Sequence, residues 1–169
     1  VLLIAATLSG YATEPKPVVP PPAPYGSTPT PRQVRHAERA FYAMCSFTVD
    51  TFTDREWGLG TESESTFTPT QFDADQIVGA VKSAGMKGLI LTCKHHDGFC
   101  LWPTKTTEHS VANSPYKNSK GDIVREFSDA CRKAGLEFGV YLSPWDRNHP
   151  TYGKPEYIAV YREQMKELL

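Results

Sequence analysis

The sequence lacks the features that mark nucleic-acid-binding and disulfide-rich proteins. Its 169 residues carry a formal net charge of −1 with a pI near 6.6, and they contain no block of Lys and Arg that could neutralise phosphates. Nucleic acid is therefore not an expected partner. The four cysteines form no CxxC pair and have no zinc-ligand spacing, so we expect small buried hydrophobes rather than a disulfide framework: Cys45, Cys93, Cys100 and Cys131.

Several catalytic signatures are also absent. No GxGxxG or GxxxxGK[ST] loop follows any apolar run, which weighs against a nucleotide-binding fold. No GxSxG elbow is present, and Ser143 stands between Leu142 and Pro144, the wrong turn chemistry for such an elbow. No HExxH helix occurs either. A serine triad and a zincin site are both disfavoured.

The N-terminal part differs in composition from the rest. Residues 1–12 form a short apolar run, VLLIAATLSGYA, which is too short to span a bilayer and resembles the remnant of a secretory signal peptide. Residues 13–31 hold eight of the 14 prolines and predict an extended linker. We therefore expect an exported protein, secreted or periplasmic, with no membrane span and with its globular part over residues 32–169.

Three units of strand followed by helix are predicted in the globular part. The strands are expected at 40–49, 88–93 and 138–143, each a continuous apolar run typical of a sheet buried on both faces. Asp73 is predicted to cap a helix that ends at Gly85, and Asp122 is expected near the start of a helix that ends at Gly135. A last helix is expected from Pro155.

Two of these units resemble each other at an offset of 50 residues: SAGMKGLILTCKHHD and KAGLEFGVYLSPWDR. Alternating strands and helices indicate an α/β fold with a parallel sheet, and the long loops after the strands favour a TIM-type barrel over a flavodoxin-like open sheet. The 138 residues from Arg32 onward are too few for a barrel of about 250. We expect the first three β/α units of a (β/α)8-like barrel, incomplete in this chain.

Polar and aromatic residues follow each predicted strand. Parallel strands bring these ends to one edge of the sheet, where aromatic rings stack on sugar faces and His or carboxylate groups bind hydroxyls. The alternative is a structural role for each residue. Trp57 and Trp102 would then be half-buried loop anchors and Tyr141 a core residue. His95 and His96 would be structural histidines whose hydrogen bonds are satisfied locally. The residues concerned are Ser46, Glu56, Trp57, His95, His96, Trp102, Tyr141 and Trp145.

The adjacent histidines also suggest a metal site, but the spacing argues against it. Neighbouring residues on an extended strand point to opposite faces, so His95 and His96 are not expected to share one ion. Glycosidase chemistry would instead need two carboxylates. Candidates are present, but their spacing pairs no two of them: Asp54, Glu56, Asp97, Glu108 and Asp146.

Three stretches resemble the N-terminal part of family 29 α-L-fucosidases: DTFTDREWG, GLILTCKHHDGFCLWPTKTTEHSV and GVYLSPWDRNHPTYGKPEY. The resemblance covers residues 33–169. It implies a (β/α)8-like catalytic barrel and a retaining exo-hydrolase that releases terminal α-L-fucose, with no cofactor and no metal ion.

The resemblance also implies roles for residues of this chain. It places Glu56, Trp57, His95, His96, Tyr141 and Trp145 at the fucose pocket. Ser46 stands where the family usually carries a histidine, which puts its role in doubt, and Trp102 is a weaker candidate. The catalytic nucleophile, an Asp, is expected after Leu169 and the acid/base later still, so no catalytic residue is expected in this chain. The family does not use Asp146 as the nucleophile.

Two functions follow from this. The first is an exported retaining exo-α-L-fucosidase, present here as a fragment that acts on fucosylated oligosaccharides or glycoconjugates. The alternative is a truncated, non-catalytic fucose-binding protein. The sequence does not indicate linkage preference, accessory domains or oligomeric state.

Overall fold

The computed structural model describes residues 18–169. The predicted signal remnant at 1–12 lies outside the described residues. Residues 18–30 form no helix or strand and are exposed, and helix α1 (Pro31–Glu38) follows them. Thr30 caps α1 through a capping box with Gln33, and every residue of this helix is exposed. Residues 18–38 thus add nothing to the core.

The sheet consists of three parallel strands in the order β1–β2–β3. They are β1 (Ala43–Cys45), β2 (Gly88–Lys94) and β3 (Glu137–Leu142), with Leu89 opposite both Ala43 and Phe138. The central strand β2 is almost entirely buried because it has a neighbour on each side. An α/β fold with a small parallel sheet, as predicted, is therefore present, and all three strands end at the same edge.

Three further helices follow the strands: α2 (Ala74–Ser83), α3 (Ile123–Ala134) and α4 (Tyr157–Leu168). The cap of α2 is as predicted, because Gln76 N donates to Asp73 Oδ1 over 3.0 Å. Asp122, expected near the start of α3, is its N-cap and accepts from Arg125 N over 2.9 Å. Gly135 follows α3 with φ +72°, a conformation that glycine adopts without steric cost. The helix α4 starts at Tyr157, two residues later than predicted.

The predicted first strand is too long. It was expected at 40–49 and buried on both faces, but β1 covers three residues and Met44 is 61% exposed. Thr48 ends the extended segment by capping a short 3₁₀ helix, Val49–Phe52, through a bond from Asp50 N. The exposure of Met44 follows from the position of β1 at the edge of the sheet.

The core lies between the sheet and the pair α2 and α3. Leu89, Leu91 and Cys93 of β2 pack there against Ile123 and Phe127 of α3. All four cysteines are free thiols, and three of them are buried, in agreement with the prediction. In residues 18–169 no helix is long and apolar enough to cross a membrane.

Candidate functional site

The loops after the three strands meet at the carboxyl edge of the sheet. Ser143 N donates to Lys94 O over 3.0 Å, which joins the exits of β2 and β3. Arg147 N donates to His96 O over 2.9 Å, and Arg147 Nη1 donates to Gly58 O over 2.7 Å. One residue of the third loop therefore binds both other loops, and the edge forms a single connected surface.

The two adjacent histidines point the same way. Their rings stack with centroids 4.3 Å apart and an interplanar angle of 28°. The expectation that they would face opposite sides was wrong, because β2 ends at Lys94 and the chain then turns. Gly98 N closes this turn by donating to His95 O over 3.2 Å. The turn, rather than strand geometry, therefore determines the direction in which the two histidine side chains point.

Two tryptophans from the other loops surround the histidines. The ring of His96 lies 5.3 Å from that of Trp57 and 5.0 Å from that of Trp145, and the two indoles are 5.9 Å apart. Trp57 is 48% exposed, so much of its indole surface faces solvent. We call Trp57, His95, His96 and Trp145 the aromatic–histidine cluster. It combines apolar ring surface with imidazole nitrogens, as a sugar-binding surface requires.

Hydrogen bonds fix the orientation of His96. Its Nδ1 lies 2.7 Å from Ser143 Oγ, which also accepts from Trp145 N over 3.1 Å. Ser143 can donate its hydroxyl proton to Nδ1, and a neutral His96 bonded in this way carries its own proton on Nε2. Burial first, and then the charges of His95 and Arg147, lower the pKa of His96. In this tautomer His96 offers a donor at its outer edge.

His95 faces two carboxyl groups instead. Its Nδ1 lies 3.4 Å from Asp50 Oδ2 and 3.9 Å from Asp97 Oδ2. Asp97 is completely buried and Asp50 is 6% exposed. Phe99 N donates to Asp97 Oδ1 over 2.6 Å, but both oxygens of Asp50 and Asp97 Oδ2 have no hydrogen-bond donor among the described residues. We call Asp50 and Asp97 the carboxyl pair.

The environment of the carboxyl pair raises the pKa of Asp97 to about 7. Burial is the largest cause, and the negative charge of Asp50 is the next. One ligand atom each from Asp50, His95 and Asp97 lie within 4.8 Å of one another, a spacing that a metal ion could also bridge. Of the two adjacent histidines, His95 belongs to this group and His96 does not.

Lys94 lies beneath the cluster and is completely buried. Its ammonium has three N–H groups, and it donates to three acceptors: Asp146 Oδ2 at 3.0 Å, Tyr157 Oη at 2.6 Å and Gln164 Oε1 at 2.8 Å. These bonds attach α4 and the loop after β3 to the end of β2. Asp146 is thus a structural ion-pair partner, consistent with the view that it is not a nucleophile.

The remaining residues that were predicted at the site lie outside the aromatic–histidine cluster. Glu56 is exposed and makes no hydrogen bond or ion pair with any described residue, although it precedes Trp57. Ser46 is exposed one residue after β1. Tyr141 is half-buried on β3 beside Tyr161, in a groove below the edge. Trp102 is 5% exposed in the core, with Nε1 donating to Glu167 Oε2 over 2.8 Å, the position of a structural residue.

Four residues that complete the site were not assigned roles from the sequence: Asp50, Lys94, Ser143 and Arg147. Each stands within a few residues of a strand end, which is the one signal the sequence offered. Their partners come from other loops, so their roles depend on the tertiary structure. Arg147 illustrates this, because its guanidinium lies 4.7 Å from the Trp145 ring while it binds Gly58 O.

Comparison with known proteins shows the family of this chain. The family model described as Alpha-L-fucosidase matches residues 26–168. The chain belongs to the α-L-fucosidase family. Among curated relatives of this glycoside hydrolase family, Alpha-L-fucosidase 1 of Arabidopsis thaliana is 44% identical over 151 residues, and Putative alpha-L-fucosidase 1 of Oryza sativa is 43% identical. These alignments cover 89% of this chain but 30% and 29% of the relatives.

Solved α-L-fucosidase family structures are similar as well. A glycoside hydrolase 29 family member from an unknown rumen bacterium matches with a TM-score of 0.85 and 53% identity, covering 86% of this chain and 26% of that one. A Ruminococcus gnavus GH29 fucosidase in complex with fucose matches with a TM-score of 0.79 and 37% identity, covering 90% and 34%. The chain thus spans about a third of the length of these relatives.

Proposed function

We propose that this chain is part of an exported, retaining exo-α-L-fucosidase and that the aromatic–histidine cluster binds the terminal fucose. The observation that carries the proposal is the stacked pair His95 and His96 between two indoles at the carboxyl edge of the sheet. Fucose has ring hydroxyls on one part of its surface and a methyl group on another. Imidazole nitrogens bind the former, and indole rings pack against the latter.

The two histidines are suited to adjacent hydroxyls because their free nitrogens differ. His96 presents Nε2–H as a donor, since Ser143 occupies its Nδ1. His95 directs Nδ1 toward the carboxyl pair, so its Nε2 is available to accept. A hydroxyl can both donate and accept, and a donor beside an acceptor fixes the direction of two such groups. This arrangement favours a sugar over a purely apolar ligand.

The sheet is proposed to continue into a (β/α)8-like barrel in the complete polypeptide. Both outer strands support this. Tyr42 and Met44 expose apolar surface at β1, and an apolar groove opens beside β3, lined by Val140, Tyr141, Leu142, Tyr161, Met165 and Leu168. Further strands would cover both edges and place Tyr141 and Ser46 inside the barrel, where the family resemblance puts the sugar pocket.

The catalytic carboxylates are proposed to lie beyond Leu169. Within the described residues, Asp146 is bound to Lys94, and Asp50 and Asp97 are buried together, so none of these is a free nucleophile in the pocket. A retaining mechanism needs a nucleophile and an acid/base about 5 Å apart across the scissile bond. Sequencing past residue 169 should reveal a strand that ends in an Asp after Trp or Phe. A downstream sequence without such an Asp would refute the proposal.

The direct test is hydrolysis of an aryl α-L-fucoside by the complete polypeptide. Retention is tested by NMR of the first-formed sugar, which should be the α-anomer. We expect Trp145→Ala and His96→Ala to lose most of kcat/KM, with a loss on the order of a hundredfold each, because both contact the sugar. His149→Ala is the matched control. His149 lies in the same loop but contacts Thr151 and Tyr157 instead of the cluster.

The alternative, a non-catalytic fucose-binding protein, gives a different result for the chain of 169 residues alone. A cooperative melt that shifts upward with L-fucose would favour the binding protein. The exposed apolar edges of β1 and β3 lead us to expect aggregation of the isolated chain instead. Export is tested separately, by cell fractionation of the natural host for a secreted or periplasmic product.

A further inference from the structure

The carboxyl pair is the part of the structure that the proposed function leaves unexplained. Asp50 follows β1, and Asp97 lies in the turn after β2, yet one carboxyl oxygen of each lies within 4.8 Å of the other. Three of their four oxygens are buried and have no donor among the described residues. Two carboxylates in such a place would repel each other and would also lack the hydrogen bonds that buried charges need.

Among the described residues, no Lys or Arg side chain donates to the pair. The titratable groups around it are His95 and His96 from the turn after β2, Glu62 from the loop after β1, Asp146 and Arg147 from the loop after β3, and Lys94 from β2. The three N–H groups of Lys94 are bonded to Asp146, Tyr157 and Gln164, and Arg147 Nη1 donates to Gly58 O. Within residues 18–169, His95 is the one titratable residue that directs a nitrogen at the pair, and the main-chain N of Phe99 binds Asp97 Oδ1.

The space around the pair is closed by main chain. A Cβ atom added to Gly58 would lie 2.3 Å from Asp50 Oδ1 and 2.7 Å from Asp97 Cβ. A metal ion would find three protein ligand atoms here, one from each of Asp50, His95 and Asp97, and would need water for its remaining positions. A proton needs no added volume. A proton on one carboxyl group also supplies the donor that the other lacks.

We propose that Asp50 and Asp97 share one proton, and that the resulting singly charged pair positions His95 by accepting its Nδ1–H. The proton sits on an oxygen of one carboxyl group and is donated to the other, so the pair carries a net charge of −1. Asp50 Oδ2 then faces His95 Nδ1 at 3.4 Å, and the Nε2 lone pair of His95 is directed outward. Asp50 and Asp97 are positioning residues, since they act through His95.

The state of the pair follows pH within the neutral range. Asp97 has a pKa raised to about 7 by burial and by Asp50, so the shared proton is lost as pH rises above that value. The two carboxylates would then repel each other, and Asp50 Oδ2 would no longer be held against His95 Nδ1. The outward direction of the Nε2 acceptor would no longer be fixed. This consequence for binding rests on the proposed function, whereas the shared proton does not.

The shared proton is tested in the complete natural polypeptide with ¹³C-carboxyl-labelled aspartate. An NMR titration of the wild type should reveal one buried carboxyl group with a midpoint near 7. Asp50→Asn replaces the shared proton by an amide donor and removes one negative charge, so the midpoint of that titration should fall although Asp97 stays buried. Asp54→Asn is the matched control: Asp54 is exposed, lies four residues away outside the pair, and should leave the titration unchanged.

Three results would overturn the inference. One is that every carboxyl group of the wild type titrates below pH 5. Another is that the midpoint of the neutral titration is unchanged in Asp50→Asn. The third is a stoichiometric divalent metal ion found by elemental analysis after dialysis, with the titration appearing only after chelation. The wild-type titration alone decides for or against the proton, so a variant that fails to fold leaves the answer intact.

Fucose affinity measured by calorimetry between pH 5.5 and 8.5 tests the positioning of His95. Binding should weaken above pH 7 in the wild type and depend much less on pH in Asp50→Asn. A neutral titration without any fucose binding would refute the proposed function but keep the shared proton. Fucose binding with the same pH profile in both proteins would refute the positioning role.

Discussion

Lys94 and Asp146 form an ion pair that is enclosed on all sides. Nζ lies 3.0 Å from Oδ2, and the two side chains are 0% and 2% exposed. Asp146 also accepts from Tyr157 Oη at 2.9 Å and from His149 N at 2.9 Å. Lys94 and Asp146 are the residues that hold the loop carrying Trp145 against the turn carrying the histidines. A change to either residue therefore affects both stability and the site.

Asp146→Ala should destabilise the fold by about 3–5 kcal/mol, because it leaves the Lys94 ammonium buried without its countercharge. The measurement is the free energy of unfolding from denaturant melts of the complete polypeptide. Asp75→Ala is the control, since Asp75 pairs with Lys133 at 2.6 Å on the exposed surface, and its removal should cost far less than that of Asp146. Equal losses in the two variants would contradict the view that enclosure makes the Lys94 pair important.

The carboxyl pair should make the fold less stable as pH rises. Burial and the charge of Asp50 raise the pKa of Asp97 from its ordinary value of 3.8 to about 7, so the folded state binds more protons than the unfolded state between those values. The stabilising contribution is fully present below about pH 4 and is lost as pH rises through 7. The loss should be on the order of 4 kcal/mol, since the shift is about three pKa units and each unit corresponds to about 1.4 kcal/mol.

Unfolding midpoints in denaturant, measured from pH 4 to pH 8, check this expectation. The difference between wild type and Asp50→Asn isolates the contribution of the pair, because Asn carries no charge at any of these pH values. The variant should gain stability relative to the wild type as pH rises. A difference that stays constant with pH would show that Asp97 is not perturbed by Asp50.

Much of the local structure could be predicted from residue pattern alone. Asp73 and Asp122 are followed by helical apolar spacing, and Gly85 and Gly135 end those helices, so caps and ends are encoded within single segments. The central strand β2 is also a local signal, a continuous apolar run. The shortness of β1 was not predictable in this way, because Phe41, Tyr42 and Met44 are as apolar as a buried strand but lie at an edge.

The site was predicted in its residue types but not in its bonding. The sequence placed His95, His96, Trp57 and Trp145 at one edge, and the structure brings them into contact. It did not indicate that Asp50 meets Asp97, because 47 positions separate them and the contact exists only once β1 and β2 are paired. The burial of Lys94 was not predicted either, because a lysine side chain after a strand usually reaches solvent.

Ser143→Ala should weaken fucose binding with a smaller effect on the fold. The change removes the partner of His96 Nδ1 and of Trp145 N, which frees two side chains of the aromatic–histidine cluster to reorient. We expect a loss of about 1–2 kcal/mol in binding, roughly tenfold in Kd, measured by calorimetry. Ser114→Ala is the control: Ser114 is equally buried and donates to Val111 O at 2.7 Å, away from the cluster. A similar loss of affinity in both would mean that Ser143 acts only through stability.

Gly98→Ala should be among the most destabilising single methyl additions in the chain. Gly98 ends the histidine turn with φ +92°, and an added Cβ would lie 2.3 Å from Asp146 Oδ1 and 3.0 Å from Asn148 Cβ. The methyl group would push Asp146 away from Lys94 and impose a strained backbone as well, so we expect a loss of at least about 2–3 kcal/mol.

Gly79→Ala is the opposite case, because Gly79 lies within α2 with nothing within 4 Å of an added Cβ. That change should gain about 0.5–1 kcal/mol from helix propensity. Thermal melts of the two variants should therefore move in opposite directions, and a neutral Gly98→Ala would show that Asp146 can shift without cost.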